Sequence, residues 1–146
     1  MIARYRDGAL PVVAGSPGVA AELDGLPPKI SARLDAYDLT GALDEIWEVV
    51  RALNRHVEQS APWELAKDEA RAADLDRVLF DLADGLRVLA IVLEPFLPET
   101  APQILAALGQ DGSLDWAEAR AGGTRPAEGI PPAQPLFPRV DAPATV

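Results

Sequence analysis

Residues 41–68, GALDEIWEVVRALNRHVEQSAPWELAKD, decide how this chain folds. Beginning just upstream, Leu39, Leu43, Ile46, Val50, Leu53 and Val57 alternate in steps of four and three, a period that keeps one apolar seam on a helix over several turns. Glu45, Glu48, Arg51, Arg55 and Glu58 fall away from the seam and read as its solvated side. Asp38 or Thr40 can cap the start. Pro62 stops the helix, because proline fixes the backbone and removes a donor, and Trp63 stands directly behind it. Two readings of that ring are open. It plugs the end of a bundle against a short helix over 64–67, since Trp is highly buried on average. Or it is held at the surface, where its flat face is a platform for a nucleobase. The second reading needs cations nearby. Arg51 and Arg55 lie one turn apart and Lys67 follows Trp63 by one turn, enough for a small basic lip.

Working outward, the same period returns between Arg71 and Glu94. Leu75, Leu79, Leu82, Leu86, Leu89, Leu93 and Phe96 form the seam, and Val78, Val88, Ile91 and Val92 widen it, which predicts the most buried helix of the fold. Pro95 and Pro98 end it, and a last helix is expected from about Pro98 to Leu108, stopping at Gly109. Upstream, a short helix is expected to begin at Pro27-Pro28, with Ile30, Leu34 and Tyr37 as its buried stripe. MIARYRD reads as the last turns of a helix ended by Gly8; an incomplete start and a natural start at Met1 both remain open. Two long seams with a short connector pack most simply as antiparallel neighbours. The expected fold is therefore an all-α antiparallel bundle with Leu43, Ile46, Val50, Leu79, Leu82, Leu86 and Leu89 in its core. Its divisions are an incoming helix and connector over 1–25, the bundle over 26–108, and a tail over 109–146. Six of the 14 prolines and five of the 11 glycines fall in that tail, which excludes another helix. Within it, the apolar island Pro135 to Val140 is expected to pack on the bundle or to meet a further domain.

Composition narrows the chemistry. With 49% hydrophobic and 25% charged residues the chain is ordinary for a globular protein. It has no cysteine, which excludes disulfides, thiolate metal sites and a cysteine nucleophile. No apolar run reaches a membrane-spanning length and no signal pattern opens the chain, so a cytoplasmic protein without a membrane partner is expected. His56 is the only histidine, and Leu53 stands where a helical Glu-x-x-His metal pair would need its glutamate. No glycine-rich phosphate loop or nucleophile elbow occurs. No metal site, cofactor or catalytic residue is expected in the chain. The net charge of −10 is the wrong sign for neutralising phosphates, so any RNA contact must be small and local. Asn54, next to Leu53, is expected to bond to a neighbouring connector; Trp47 is expected to border the core, and Trp116 has no assignable role.

Several of these pieces, taken in order, resemble the anticodon-binding helical domain of bacterial methionyl-tRNA synthetases, a class I aminoacyl-tRNA synthetase family. They are Tyr37-Asp38, Ala42-Leu43 through Trp47, Asn54-Arg55, Ala61-Pro62-Trp63 and Leu65-Ala66-Lys67-Asp68. They continue with Leu86-Arg87-Val88-Leu89-Ala90, Pro95-Phe96-Leu97-Pro98-Glu99-Thr100-Ala101 and the closing Leu136-Phe137-Pro138-Arg139-Val140. The resemblance implies a domain that reads the CAU anticodon of the methionine tRNA for an enzyme that uses ATP with Mg. Trp63 would stack on an anticodon base with Pro62 shaping the turn, and Arg55, Arg51 and Asn54 would complete the anticodon-binding set. The family's second anticodon pair, Asn-x-x-x-Arg, belongs to a helix preceding Met1. Its ATP-site signatures, His-Ile-Gly-His and Lys-Met-Ser-Lys-Ser, are not in this sequence. The expected partners are therefore the anticodon loop and the synthetase's own catalytic domain, and the chain alone is expected to be inactive. A helical protein-interaction module, or the anticodon domain of a valine-, isoleucine- or cysteine-type synthetase, would share the architecture.

Overall fold

The computed structural model describes residues 1–110, 113–132 and 134–137. These residues form α1 (Ile2–Tyr5), α2 (Pro17–Asp35), α3 (Leu39–Ser60), α4 (Pro62–Leu65), α5 (Ala72–Leu93) and α6 (Thr100–Ala107). Short 3-10 turns occur at Glu69–Arg71 and Trp116–Glu118, and no strand occurs among the described residues. α2 and α3 form a tight hairpin, α5 packs on both, and α4 and α6 pack against α5. No helix of the described residues is long and apolar enough to cross a membrane.

The two long helices begin and end where the sequence directs. Asp38 caps α3, its Oδ1 accepting from the Gly41 amide at 2.8 Å, which satisfies one of the amides a helix start leaves free. The chain leaves α3 through Ala61 in the left-handed region (φ 43), with the Ala61 amide donating to the Val57 carbonyl at 3.0 Å. α5 is the central element, buried on most of its circumference; Val88, Ile91 and Val92 are closed to solvent. Its Gly85 sits where a Cβ would lie 2.7 Å from Leu53 Cδ1. The missing side chain lets α3 and α5 approach, at a propensity cost of about 1 kcal/mol in a helix interior.

Four expectations are corrected. α2 begins at Pro17, and Pro27-Pro28 lie inside it rather than at its start. Proline in the first turn is tolerated, but the one that occupies it is Pro17. Burial of Leu23, Leu26 and Ile30 against α3 and α5 offsets the interior prolines, and a division at residue 25 falls in mid-helix. Tyr37 is exposed, because the backbone turns into the left-handed region there (φ 56) and breaks the helical phase of Ile30 and Leu34. On α3 the buried stripe is Ala42, Ile46, Val49 and Leu53, with Leu43, Val50 and Val57 partly buried and Leu39 exposed. The stripe is rotated by about one residue and takes in the small Ala42, which is fully buried in the core. Leu86 is exposed and lines an apolar groove with Met1, Ile2 and Ile130 instead of the core, while Leu82 is partly buried, packing against the core and lining the same groove.

Three buried charges on α5, at steps of three, hold the irregular segments to the bundle. Asp81 accepts from the Ser16 amide at 2.8 Å and from its hydroxyl at 2.6 Å, fixing the start of α2 and placing a negative charge at that helix N-terminus. Asp84 accepts from the Gly122 amide (2.5 Å), the Thr124 amide (3.1 Å) and the Thr124 hydroxyl (2.7 Å). Arg87 donates to Asp84 (3.0 Å), to the Glu118 carbonyl (2.7 Å) and to the Arg120 carbonyl. Beyond them, the Ile130 amide donates to the Gly8 carbonyl and the Leu10 amide to the Ala127 carbonyl, joining tail to N-terminal connector. Gly8 is required there: its φ is +81 and a Cβ would meet the Ile130 backbone at 2.9 Å. The tail is thus irregular but docked. Within the apolar island, Leu136 is 38% and Phe137 68% exposed, and Pro138, Arg139 and Val140 fall outside the described residues.

Candidate nucleic-acid interface

The corner between α3 and α4 presents Trp63. Pro62 and Leu65, three residues apart on one turn, face inward; Pro62 is closed to solvent and Leu65 packs with Leu75, Val78 and Leu79. That spacing turns Trp63 and Glu64 outward. Trp63 keeps 45% of its surface exposed. Its backbone is fixed on both sides, by the left-handed Ala61 before Pro62 and by the Glu64 amide donating to the Ala61 carbonyl at 2.8 Å. The ring is therefore partly accessible on a fixed stretch of backbone rather than enclosed in the bundle.

The cations that the sequence offered to that ring are less free than expected. Arg51 is held by Glu48 at 2.7 Å and Lys67 by Glu64 at 2.7 Å. The hydrogen bond from Arg51 is the main cause that lowers the Glu48 carboxyl below its ordinary range, and the same bond raises Arg51. Both pairs are solvent-exposed, so they are exchangeable for a phosphate at small cost. Arg55 makes no hydrogen bond or ion pair among the described residues. Asn54 is exposed and bonds to no connector, which corrects its expected buried role and leaves its amide available. Trp47 is 54% exposed and does not border the core; it shares the outer face of α3 with Arg51 and Asn54. Trp116 is half-buried against the main core cluster, in the turn that Arg87 ties down. Glu48 and Glu58 are exposed as expected, whereas Glu45 is partly covered and bridges Arg33 and Lys29.

Two clefts flank the last turns of α3 on the side away from Asn54. One, of about 250 Å³, is bounded by Arg55 and by Val19 and Glu22 of α2. The other, of about 400 Å³, reaches Ser60, Ala61 and Glu64 at the α3–α4 corner and Arg71 and Arg77. Ser16, His56 and Gln59 line both. His56 Nε2 lies 3.1 Å from Asp81 Oδ2 at the floor, so the histidine belongs to this polar junction. Nothing in the local pattern of α5 marks Arg77 as a partner of the Trp63 corner, because the two come together only when α4 packs on α5. Ser16 lies farther still in sequence.

The comparisons with known proteins agree with this architecture. A family model described as the anticodon binding domain of methionyl tRNA ligase matches residues 17–128. Methionine–tRNA ligases of Lactiplantibacillus plantarum and Clostridium acetobutylicum are 36% and 34% identical over 100% and 97% of the chain. That of Caldanaerobacter subterraneus subsp. tengcongensis is 33% identical over 97% of it. The chain spans only 22–23% of the length of these relatives. Among solved structures, the apo form of Mycobacterium tuberculosis methionyl-tRNA synthetase superposes with a TM-score of 0.82 at 27% identity, covering 98% of this chain and 30% of that one. The chain belongs to the family of anticodon-binding domains of methionyl-tRNA ligases.

Proposed function

We propose that this chain reads the anticodon loop of the methionine tRNA as one module of a methionine–tRNA ligase that works in the cytoplasm. Trp63 is the stacking platform, Pro62 fixes its corner, and Arg55, Arg51 and Asn54 supply the polar contacts around it. The observation that carries the reading is a tryptophan 45% exposed on a corner whose Pro62 and Leu65 are buried. Stacking of one base on an aromatic contributes about 1–3 kcal/mol. Alone, that corresponds to a dissociation constant no tighter than about 1 mM. With a net charge of −10, the isolated chain should bind an anticodon stem-loop weakly, at millimolar concentrations and low salt. Nuclear magnetic resonance titration with a CAU stem-loop tests this: shifts should centre on the Trp63 indole and vanish in Trp63→Ala. Shifts centred elsewhere refute the site.

Activation of methionine belongs, on this reading, to the catalytic domain with its ATP and Mg, the second partner of this chain. The basis is the missing ATP-site signatures and the lack of a nucleophile in the sequence. The exposed Leu136 and Phe137 are then a surface for that domain. Methionine-dependent ATP–pyrophosphate exchange by the purified chain should not exceed background, and exchange above background refutes the assignment.

A further inference from the structure

We propose that the polar trough formed by the two clefts beside Trp63 carries the sugar–phosphate strand of the RNA whose base stacks on that ring, with Arg77 and Arg55 as its phosphate contacts. This rests on the anticodon reading and extends it to Arg77 and to residues of α2 and α5. The two clefts share Ser16, His56 and Gln59 and end at Ser60 and Ala61, so the trough runs along α3 directly to the corner that presents the ring. A nucleotide stacked on Trp63 must pass its backbone over a neighbouring surface, and this one is concave and polar.

Charge decides what the trough accepts. Arg71 is neutralised by Asp74 at 3.2 Å and Glu64 by Lys67 at 2.7 Å. Arg77 and Arg55 make no hydrogen bond or ion pair among the described residues; the remaining acids are Glu22 on the α2 rim and Asp81 beneath His56, which is already held by Ser16. The charged lining is formally balanced, Arg55, Arg71 and Arg77 against Glu22, Glu64 and Asp74, but pairing of Asp74 with Arg71 and of Glu64 with Lys67 leaves Arg55 and Arg77 as two unpaired guanidinium groups on a chain whose overall charge is −10. The guanidinium is the side chain suited to phosphate, presenting a planar fork of donors. Gln59 and Ser60 add neutral donors that are not engaged within the protein. Contacts of this kind orient a strand without reading it, whereas the base on Trp63 carries sequence information.

The test is titration of the chain with a CAU anticodon stem-loop across a salt series, for wild type, Arg77→Ala, Arg77→Lys, Trp63→Ala and the control Arg120→Ala. Arg120 is exposed, in the tail turn tied to Arg87. Arg77→Ala should weaken binding roughly three- to tenfold at low salt and reduce the slope of log K against log salt by about 0.7, the value for one single-strand phosphate contact. Arg77→Lys should retain most of the slope, and Arg120→Ala should match wild type. Replacing the stacked base should weaken wild type and Arg77→Ala by the same factor, because the phosphate contact is independent of sequence. If Arg77→Ala binds as wild type does while Trp63→Ala fails, the strand follows another path and this proposal is wrong although the anticodon reading stands. If Trp63→Ala also binds as wild type does, both fall. A poly-glutamate peptide competing as well as the stem-loop would show a general acidic-peptide site and overturn the RNA assignment.

Discussion

Replacing Asp84 by alanine should release the tail from the bundle. Asp84 is 2% exposed and Arg87 5%, and they are 3.0 Å apart. The substitution leaves the Arg87 guanidinium buried without its counter-ion and strips the Gly122 and Thr124 amides of their acceptor. Removing one partner of a buried pair costs about 3–5 kcal/mol. For a domain near 150 residues, with about 2–4 °C of melting temperature per kcal/mol, the expected drop is roughly 6–20 °C. Replacing both partners with apolar residues, Asp84→Leu with Arg87→Met, should recover much of the loss, because no charge is then left unpaired. Thermal melts followed by circular dichroism give the global effect. Amide exchange at Gly122 and Thr124 reads the local one, and protection there should be lost before that of α5. A loss under about 1 kcal/mol, with those amides still protected, would refute the view that this pair docks the tail.

Two further predictions probe packing. Gly85→Ala should destabilise by about 1–3 kcal/mol despite alanine's better helix propensity, since its Cβ would lie 2.7 Å from Leu53 Cδ1; a stabilised variant in chemical denaturation would contradict the close α3–α5 crossing. Leu75→Ala should cost about 2–5 kcal/mol, whereas Leu86→Ala, 44% exposed in this chain, should cost well under 2 kcal/mol; equal losses in urea titrations would mean that Leu86 belongs to the core after all.

The long helices were legible because α3 and α5 each repeat an apolar step of four and three, and because Asp38, Pro62 and Pro95 punctuate their ends. α2 was misread because Pro27-Pro28 is a strong local signal, and its override comes from burial of Leu23, Leu26 and Ile30 by residues far along the chain. Leu86 was misassigned for a related reason. A helix buried on most sides shows a broad stripe, and periodicity does not say which edge of it faces a groove. The buried Asp81, Asp84 and Arg87 interrupt an otherwise apolar run, a hint of burial, yet their partners lie in segments without periodicity. At the candidate interface the Pro62 stop and the Trp63 behind it were legible from chain geometry, which left open whether the ring plugs the bundle or faces solvent. The state of each cation was not, because pairing with Glu48 or Glu64 depends on rotamers, and the approach of Arg77 depends on tertiary packing.

The central claim is that Trp63 is a base-stacking platform, and charging of the methionine tRNA by the complete ligase tests it most directly. Trp63→Ala should lower kcat/KM for the tRNA roughly ten- to a hundredfold, the kinetic equivalent of about 1–3 kcal/mol of stacking. Methionine activation and helicity by circular dichroism should be unchanged. Normal charging by the variant, or a loss that merely follows unfolding, would contradict the account and return Trp63 to a structural role.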